Sequence, residues 1–103
     1  MDKDVFHDVQ QAISQVMHPE INRSLLELGM VRGVTVNEQK VALTLVLPFM
    51  GIPAEIRDYM ANSLQQAVMG VDSSFQVEIS FAAMSPEDRT RFFQMEQEGW
   101  KGL

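Results

Sequence analysis

The stretch Val31-Arg32-Gly33-Val34-Thr35-Val36, followed by Asn37-Glu38-Gln39-Lys40 and then Val41-Ala42-Leu43-Thr44-Leu45-Val46-Leu47, decides the fold. Two apolar, β-branched runs flank a polar turn of hairpin length, so Val31–Val36 and Val41–Leu47 read as antiparallel strands. Side chains alternate along a strand. Val41, Leu43, Leu45 and Leu47 therefore share one face, which is a core face. Ala42, Thr44 and Val46 share the other, which is small and only half polar.

Downstream, Pro48-Phe49-Met50-Gly51-Ile52 is an apolar loop. Pro53 suits the first turn of a helix, where its missing N–H costs nothing. Ile56, Tyr59, Met60, Leu64, Ala67 and Val68 form that helix's buried stripe, and Gly70 is placed to end it. In Phe75–Phe81, the residues Phe75, Val77, Ile79 and Phe81 alternate with Gln76, Glu78 and Ser80, giving a third strand with one core face. The helix between them makes this strand parallel to the second. Ser85-Pro86-Glu87-Asp88 starts a short third helix that carries Phe92, Phe93 and Met95 to Gly99, with Trp100 beyond.

Upstream, Asp2 or Asp4 caps a first helix that runs to about Met17, with Val5, Phe6, Val9, Ala12, Ile13, Val16 and Met17 at amphipathic spacing. Pro19 stops it. Ser24-Leu25-Leu26-Glu27 has capping-box spacing and Gly29 closes the short turn. The order α-β-β-α-β-α predicts an α+β fold. It is a two-layer α-β-β-α-β domain with a small mixed sheet, plus a short C-terminal helix, and residues 1–103 read as one domain. Strand order is not fixed by this pattern.

Charge and composition exclude several functions. Eight Lys+Arg against 14 Asp+Glu leave a formal net charge of −6, which repels phosphate backbones, so nucleic acid is not an expected partner. No cysteine is present. Disulfides, thiolate-held zinc or iron-sulfur clusters and thiol catalysis are thereby excluded within the chain. The longest apolar stretch, Val41–Ala54, is broken by Thr44, Pro48, Gly51 and Pro53, and a membrane span needs about 20 apolar residues. The first residues lack signal-peptide order. A cytoplasmic protein without membrane contact is expected.

Candidate chemistry is sparse. His7 and His18 are separated by about 16 Å of helix rise if one helix holds both, too far to share a metal. His18 and Glu20 supply two ligands where a metal site needs three or four. No serine-nucleophile elbow or phosphate loop is present. No catalytic residue, metal ligand or cofactor is assigned, and no enzymatic activity is expected. The loop Phe49-Met50-Gly51-Ile52 has two readings. It plugs the edge of the domain's own core, or it offers apolar side chains to a partner beside the N-terminus of the second helix.

His18-Pro19-Glu20, then Leu28-Gly29-Met30-Val31 leading into the hairpin, resembles the Asp-Pro-Glu … Leu-Gly-Leu-Val signature of a small iron-sulfur assembly domain. That family includes SufT-like and PaaD-like proteins and the N-terminal domain of Mrp/ApbC cluster carriers. The resemblance continues through Leu43-Thr44-Leu45 and the helix after Pro53, and covers about residues 5–81; Met84-Ser85-Pro86-Glu87 and Trp100 look more like the Mrp/ApbC type. It implies an α-β-β-α-β fold and a role in iron-sulfur cluster assembly or metalloenzyme maturation. The implied partners are an assembly ATPase or a client metalloenzyme. This chain departs from the pattern in two places. His18 stands where the family has aspartate, and Ile52-Pro53 stands where family members often carry Cys-Pro. The resemblance therefore implies a cysteine-less accessory protein acting through contacts, with His18, Pro19, Glu20, Phe49, Met50, Gly51 and Ile52 as its binding residues. The alternative is a stand-alone interaction or regulatory module on the same fold. A homodimer is also expected, because one sheet face and two strand edges are left to cover.

Overall fold

In the computed structural model, which describes residues 5–49 and 51–99, the chain runs α1 (Val5–Ser14), β1 (Val31–Asn37), β2 (Lys40–Leu47), α2 (Ala54–Val71), β3 (Gln76–Ala83) and α3 (Pro86–Gly99). The sheet order is β1-β2-β3. The hairpin pair is antiparallel, and β2 pairs with β3 in parallel from Lys40↔Gln76 to Leu47↔Ala83. This is the expected α+β architecture with a mixed sheet. Helices α1 and α2 lie side by side over one sheet face, α1 against β1 and α2 against β3.

A bulge keeps β1 in phase with that face. Arg32 pairs with Thr44 and Thr35 with Ala42, so Gly33 and Val34 together oppose Leu43. Gly33 adopts φ +67°, a left-handed conformation that side chains with a Cβ rarely take. The extra residue turns Val34 and Val36 toward the core with Val31. Without it, strict alternation would send Thr35 inward and Val34 and Val36 to solvent.

The core joins Val9 and Ile13 of α1, Met60, Leu64 and Val68 of α2, and Val41, Leu43, Leu45 and Leu47 of β2. Val46, on the opposite face of β2, is buried too, as are Met30, Met84 and Phe92. The sheet end that receives α3 is therefore covered. Farther along that face, Lys40 and Glu78 form a solvent-exposed ion pair at 3.4 Å.

Several element ends and core positions differ from the sequence reading. Helix α1 stops at Ser14, not near Met17. The amides of Gln15 and Val16 bond three residues back, to Ala12 and Ile13, and tighten the last turn. Met17 then enters a bridge with Ser24 and is exposed, as are Val5 and Phe6. Gly70 does not end α2. It lacks a positive φ, and the helix runs to Val71. Asp72 ends it instead, in extended conformation, with its carboxylate accepting from the Ser74 amide at 2.9 Å. Tyr59 is 56% exposed, so the buried stripe of α2 is narrower than its apolar pattern. Phe81 is 42% exposed on β3, an edge strand, and Arg57 of α2 lies over its ring at 5.5 Å. Asp2, Asp4 and Trp100 lie outside the described residues.

Candidate functional site

The segment between α1 and β1 folds back on itself. The Leu25 amide donates to the Val16 carbonyl at 2.9 Å, and the His18 amide donates to the Arg23 carbonyl at 3.0 Å. Inside this loop His18 is buried, and its Nδ1 accepts the Glu20 amide at 2.9 Å. A side-chain acceptor bonding the amide two residues on is the arrangement of an Asx turn, here built by an imidazole. The acceptor role of Nδ1 leaves the proton of the neutral ring on Nε2. Pro19, between the two, is half-buried and fixes the backbone of the turn.

The next turn is capped at both ends. The Ser24 amide donates to the Glu27 carboxylate at 2.9 Å, and the Glu27 amide donates to Ser24 Oγ at 3.1 Å, a reciprocal capping box. The bond from the Ser24 amide is the largest effect and lowers the Glu27 carboxyl below its ordinary pKa; desolvation opposes it, and the Ser24 hydroxyl and the Arg23 guanidinium add to the lowering. At the other end Gly29, at φ +76°, donates to Leu26 and Met30 donates to Leu25, which is a Schellman closure. Met30 and Leu25 are both fully buried beneath it.

Helix α3 docks against this segment. Ser85 Oγ accepts the Asp88 amide at 3.2 Å and starts the helix. At its far end the Gly99 carbonyl accepts the Asn22 amide at 2.8 Å. A Cβ on Gly99 would lie 3.3 Å from Ile21, so glycine permits the close approach. Arg89 ties the same helix to the loop after β2. Its Nε donates to the Pro48 carbonyl at 2.6 Å and a terminal nitrogen donates to the Met84 carbonyl at 3.3 Å.

These attachments enclose a cleft of about 300 Å³. His18 and Glu20 form one wall, Pro48, Phe49, Ile52 and Pro53 a second, and Phe92, Phe93 and Glu96 a third, with Ile56 of α2 also lining it. Phe49 is 47% exposed and Phe93 39% exposed, whereas Phe92 is buried. The two α3 rings meet edge to face at 5.7 Å. Pro48 is buried and anchors the loop, while Phe49 faces outward, so of the two readings of this loop the plug applies to Pro48 and not to Phe49.

Four of the residues singled out from sequence, His18, Glu20, Phe49 and Ile52, thus share one cleft. Pro19 flanks it. Gly51 is exposed beside the Phe49 ring. Met50 lies outside the described residues. Sequence reading missed Ile56, Phe93, Glu96 and the Arg89 anchor. A signal was available for one of them. Consecutive helical residues point about 100° apart, so Phe92 and Phe93 cannot both face the same core.

The donor set is poor for metal. Among the described residues no three His, Cys, Asp or Glu side chains converge to hold an ion. The chain has no cysteine, so it offers no thiolate to an iron-sulfur cluster.

A family model described as iron-sulfur cluster assembly protein matches residues 7–81. The chain belongs to this family. An iron-sulfur cluster carrier protein of Synechocystis is 29% identical over 82 residues, covering 80% of this chain and 23% of the relative. One from Mycobacterium bovis is 30% identical over 90 residues, covering 86% of this chain and 23% of the relative. The chain thus spans about a quarter of the length of these relatives. A crystal structure of a domain of unknown function, DUF59, from Bacillus anthracis superimposes with a TM-score of 0.66 at 18% identity, over 91% of this chain and 89% of that one. That likeness is one of fold. The family match includes the His18–Glu20 turn and the Pro48–Pro53 loop but ends before α3, so the third wall of the cleft comes from outside it. Among the described residues no helix is long and apolar enough to cross a membrane.

Proposed function

We propose that this chain is an accessory protein of iron-sulfur cluster assembly or metalloenzyme maturation that acts by protein contact, not by carrying a cluster and not by catalysis. The observation that carries the reading is the cleft itself. Exposed Phe49 and Phe93 stand around half-buried Ile52, at the loop where the family resemblance places a cysteine that this chain replaces with isoleucine. Large apolar side chains beside a cavity are the residues that dominate binding energy once a partner covers them. The partner is an iron-sulfur assembly ATPase or a client metalloenzyme, whose own thiolates hold the cluster.

The test is capture of a co-produced assembly ATPase or iron-sulfur client by the tagged chain. Phe49→Ser with Phe93→Ser is expected to abolish capture while the domain still folds, at a cost of about 1–2 kcal/mol for each half-exposed ring. Unchanged capture by the folded double variant would overturn the reading. The missing cysteine also supports a second reading, a stand-alone regulatory interaction module. Capture of neither an assembly ATPase nor an iron-sulfur client would favour it.

A further inference from the structure

The polar rim of the cleft carries one sign of charge. Among the described residues Glu20 and Glu96 line it, and no lysine or arginine does. Among the described residues neither carboxylate has an ion-pair partner, since the ion pairs formed join Arg23 to Glu98, Lys40 to Glu78, Arg57 to Asp58 and Arg91 to Asp88. Arg89, the cation that ties α3 to the loop after β2, is held by the Pro48 and Met84 carbonyls. The Glu20 backbone is held at the cleft, because its amide donates to the buried His18 ring. The cleft is thus lined by apolar Ile52 and Ile56 together with a carboxylate on the His18–Glu20 turn and one on α3.

We propose that the cleft receives an apolar side chain flanked by lysine or arginine on the partner protein, with Glu20 and Glu96 pairing the cation. The proposal rests on the reading of the cleft as a partner-contact surface and adds the partner's chemistry. An apolar anchor fills the space between Phe49 and Phe93. A neighbouring cation compensates two carboxylates whose desolvation would otherwise oppose binding. The net charge of −6 favours the approach of the same class of segment from a distance.

Two short synthetic peptides test this, sharing one set of Leu and Phe residues and flanked by Lys in one and Glu in the other. Each is titrated into the full chain with amide resonances observed by NMR. The Lys-flanked peptide is expected to shift the Glu20, Ile52, Ile56 and Phe93 signals. Its affinity is expected to fall about three- to tenfold in the Glu20→Gln, Glu96→Gln variant, the range for rim ion pairs, and to weaken with added salt. Equal binding of the two peptides, unchanged affinity in the variant, shifts confined to another surface, or binding of neither would overturn the proposal. The capture assay separates it from the reading beneath it. If Phe49→Ser with Phe93→Ser abolishes capture but Glu20→Gln with Glu96→Gln does not weaken it, only the charge proposal fails. If the phenylalanine variant captures normally, the contact surface itself is wrong.

Discussion

Arg89 Nε donates to the carbonyl oxygen of Pro48 at 2.6 Å, across 41 residues of chain, and this bond fixes α3 against the loop that closes the cleft. Pro48 is buried, so its carbonyl has little access to water once the guanidinium is removed. Arg89→Ala is expected to cost about 1.5–3 kcal/mol in urea melts, the range for a hydrogen bond to a charged group. The same variant should also loosen Phe93 and Glu96 relative to Phe49, seen as line broadening of their amide signals. A loss within experimental scatter would mean that α3 is held without this bond, by its packing at Phe92, Met95 and Gly99.

The Ser24–Glu27 capping box gives the domain an acid-sensitive element. The Glu27 carboxyl is lowered chiefly by the Ser24 amide, and the Asp72 carboxyl chiefly by the Ser74 amide and then its hydroxyl. A carboxyl whose folded pKa lies below its unfolded one, about 4.3 for glutamate and 3.9 for aspartate, stabilises the fold above that unfolded value. That stabilisation disappears as pH falls through the folded value. Glu27→Gln should therefore flatten the acid limb of a stability–pH curve below about pH 4.5 while leaving its shape near neutrality alone. A curve for the variant parallel to that of the parent at every pH would show that this carboxyl does not contribute.

Phe81 separates what the alternation of β3 implies from what its edge position allows. Read by pattern it is a core residue, and its truncation should cost about 3–5 kcal/mol. In the fold it is 42% exposed under Arg57, so Phe81→Ala is expected to cost about 1–2 kcal/mol, for partial burial and one cation–π contact. Met60→Ala, at a fully buried site, should cost about 2–5 kcal/mol. Equal losses in the two variants would restore the core reading of Phe81.

The same contrast shows what local pattern conveys. Val41, Leu43, Leu45 and Leu47 announced a strand with a core face because all four are buried in one cluster, and Ser24-x-x-Glu27 announced its capping box because that bonding is local. Strand order and the exposure of Phe81 and Tyr59 depend on which strand lies at the edge, which alternation does not encode. The bulge at Gly33 was foreshadowed only by a glycine interrupting a β-branched run, with Val34 and Val36 falling on the same parity as outward residues. The cleft was half legible. His18, Glu20 and the Pro48–Ile52 loop stood out as motifs, but their juxtaposition with Phe93 and Glu96 arises from long-range bonds such as Arg89 to Pro48 and Asn22 to Gly99.

Anaerobic reconstitution with iron and sulfide should give no stable cluster chromophore on the isolated chain, since clusters are held by thiolates and the chain has none. Added partner protein with its own cysteines is expected to restore the chromophore to the mixture, on the partner. Stoichiometric cluster on this chain alone, with no small thiol present, would contradict the assignment of a non-carrier.

His18 stands where the family signature that this chain resembles has aspartate, and its ring makes a bond that an aspartate could also make. An aspartate at that position would accept the amide two residues on through a carboxylate oxygen, as Asp72 does with Ser74 in this same chain. The His18 Nδ1 accepts the Glu20 amide at 2.9 Å in the same sense. His18→Asp is therefore expected to keep the turn, whereas His18→Ala leaves that amide without its acceptor at a part-buried site and should cost about 1–3 kcal/mol. The amide signal of Glu20 provides the readout. Its hydrogen-exchange protection should persist in His18→Asp and fall in His18→Ala, independently of any partner. If His18→Asp loses protection as His18→Ala does, the ring is needed for its volume in the buried loop and not as an acceptor, and the Glu20 carboxylate is positioned by packing instead.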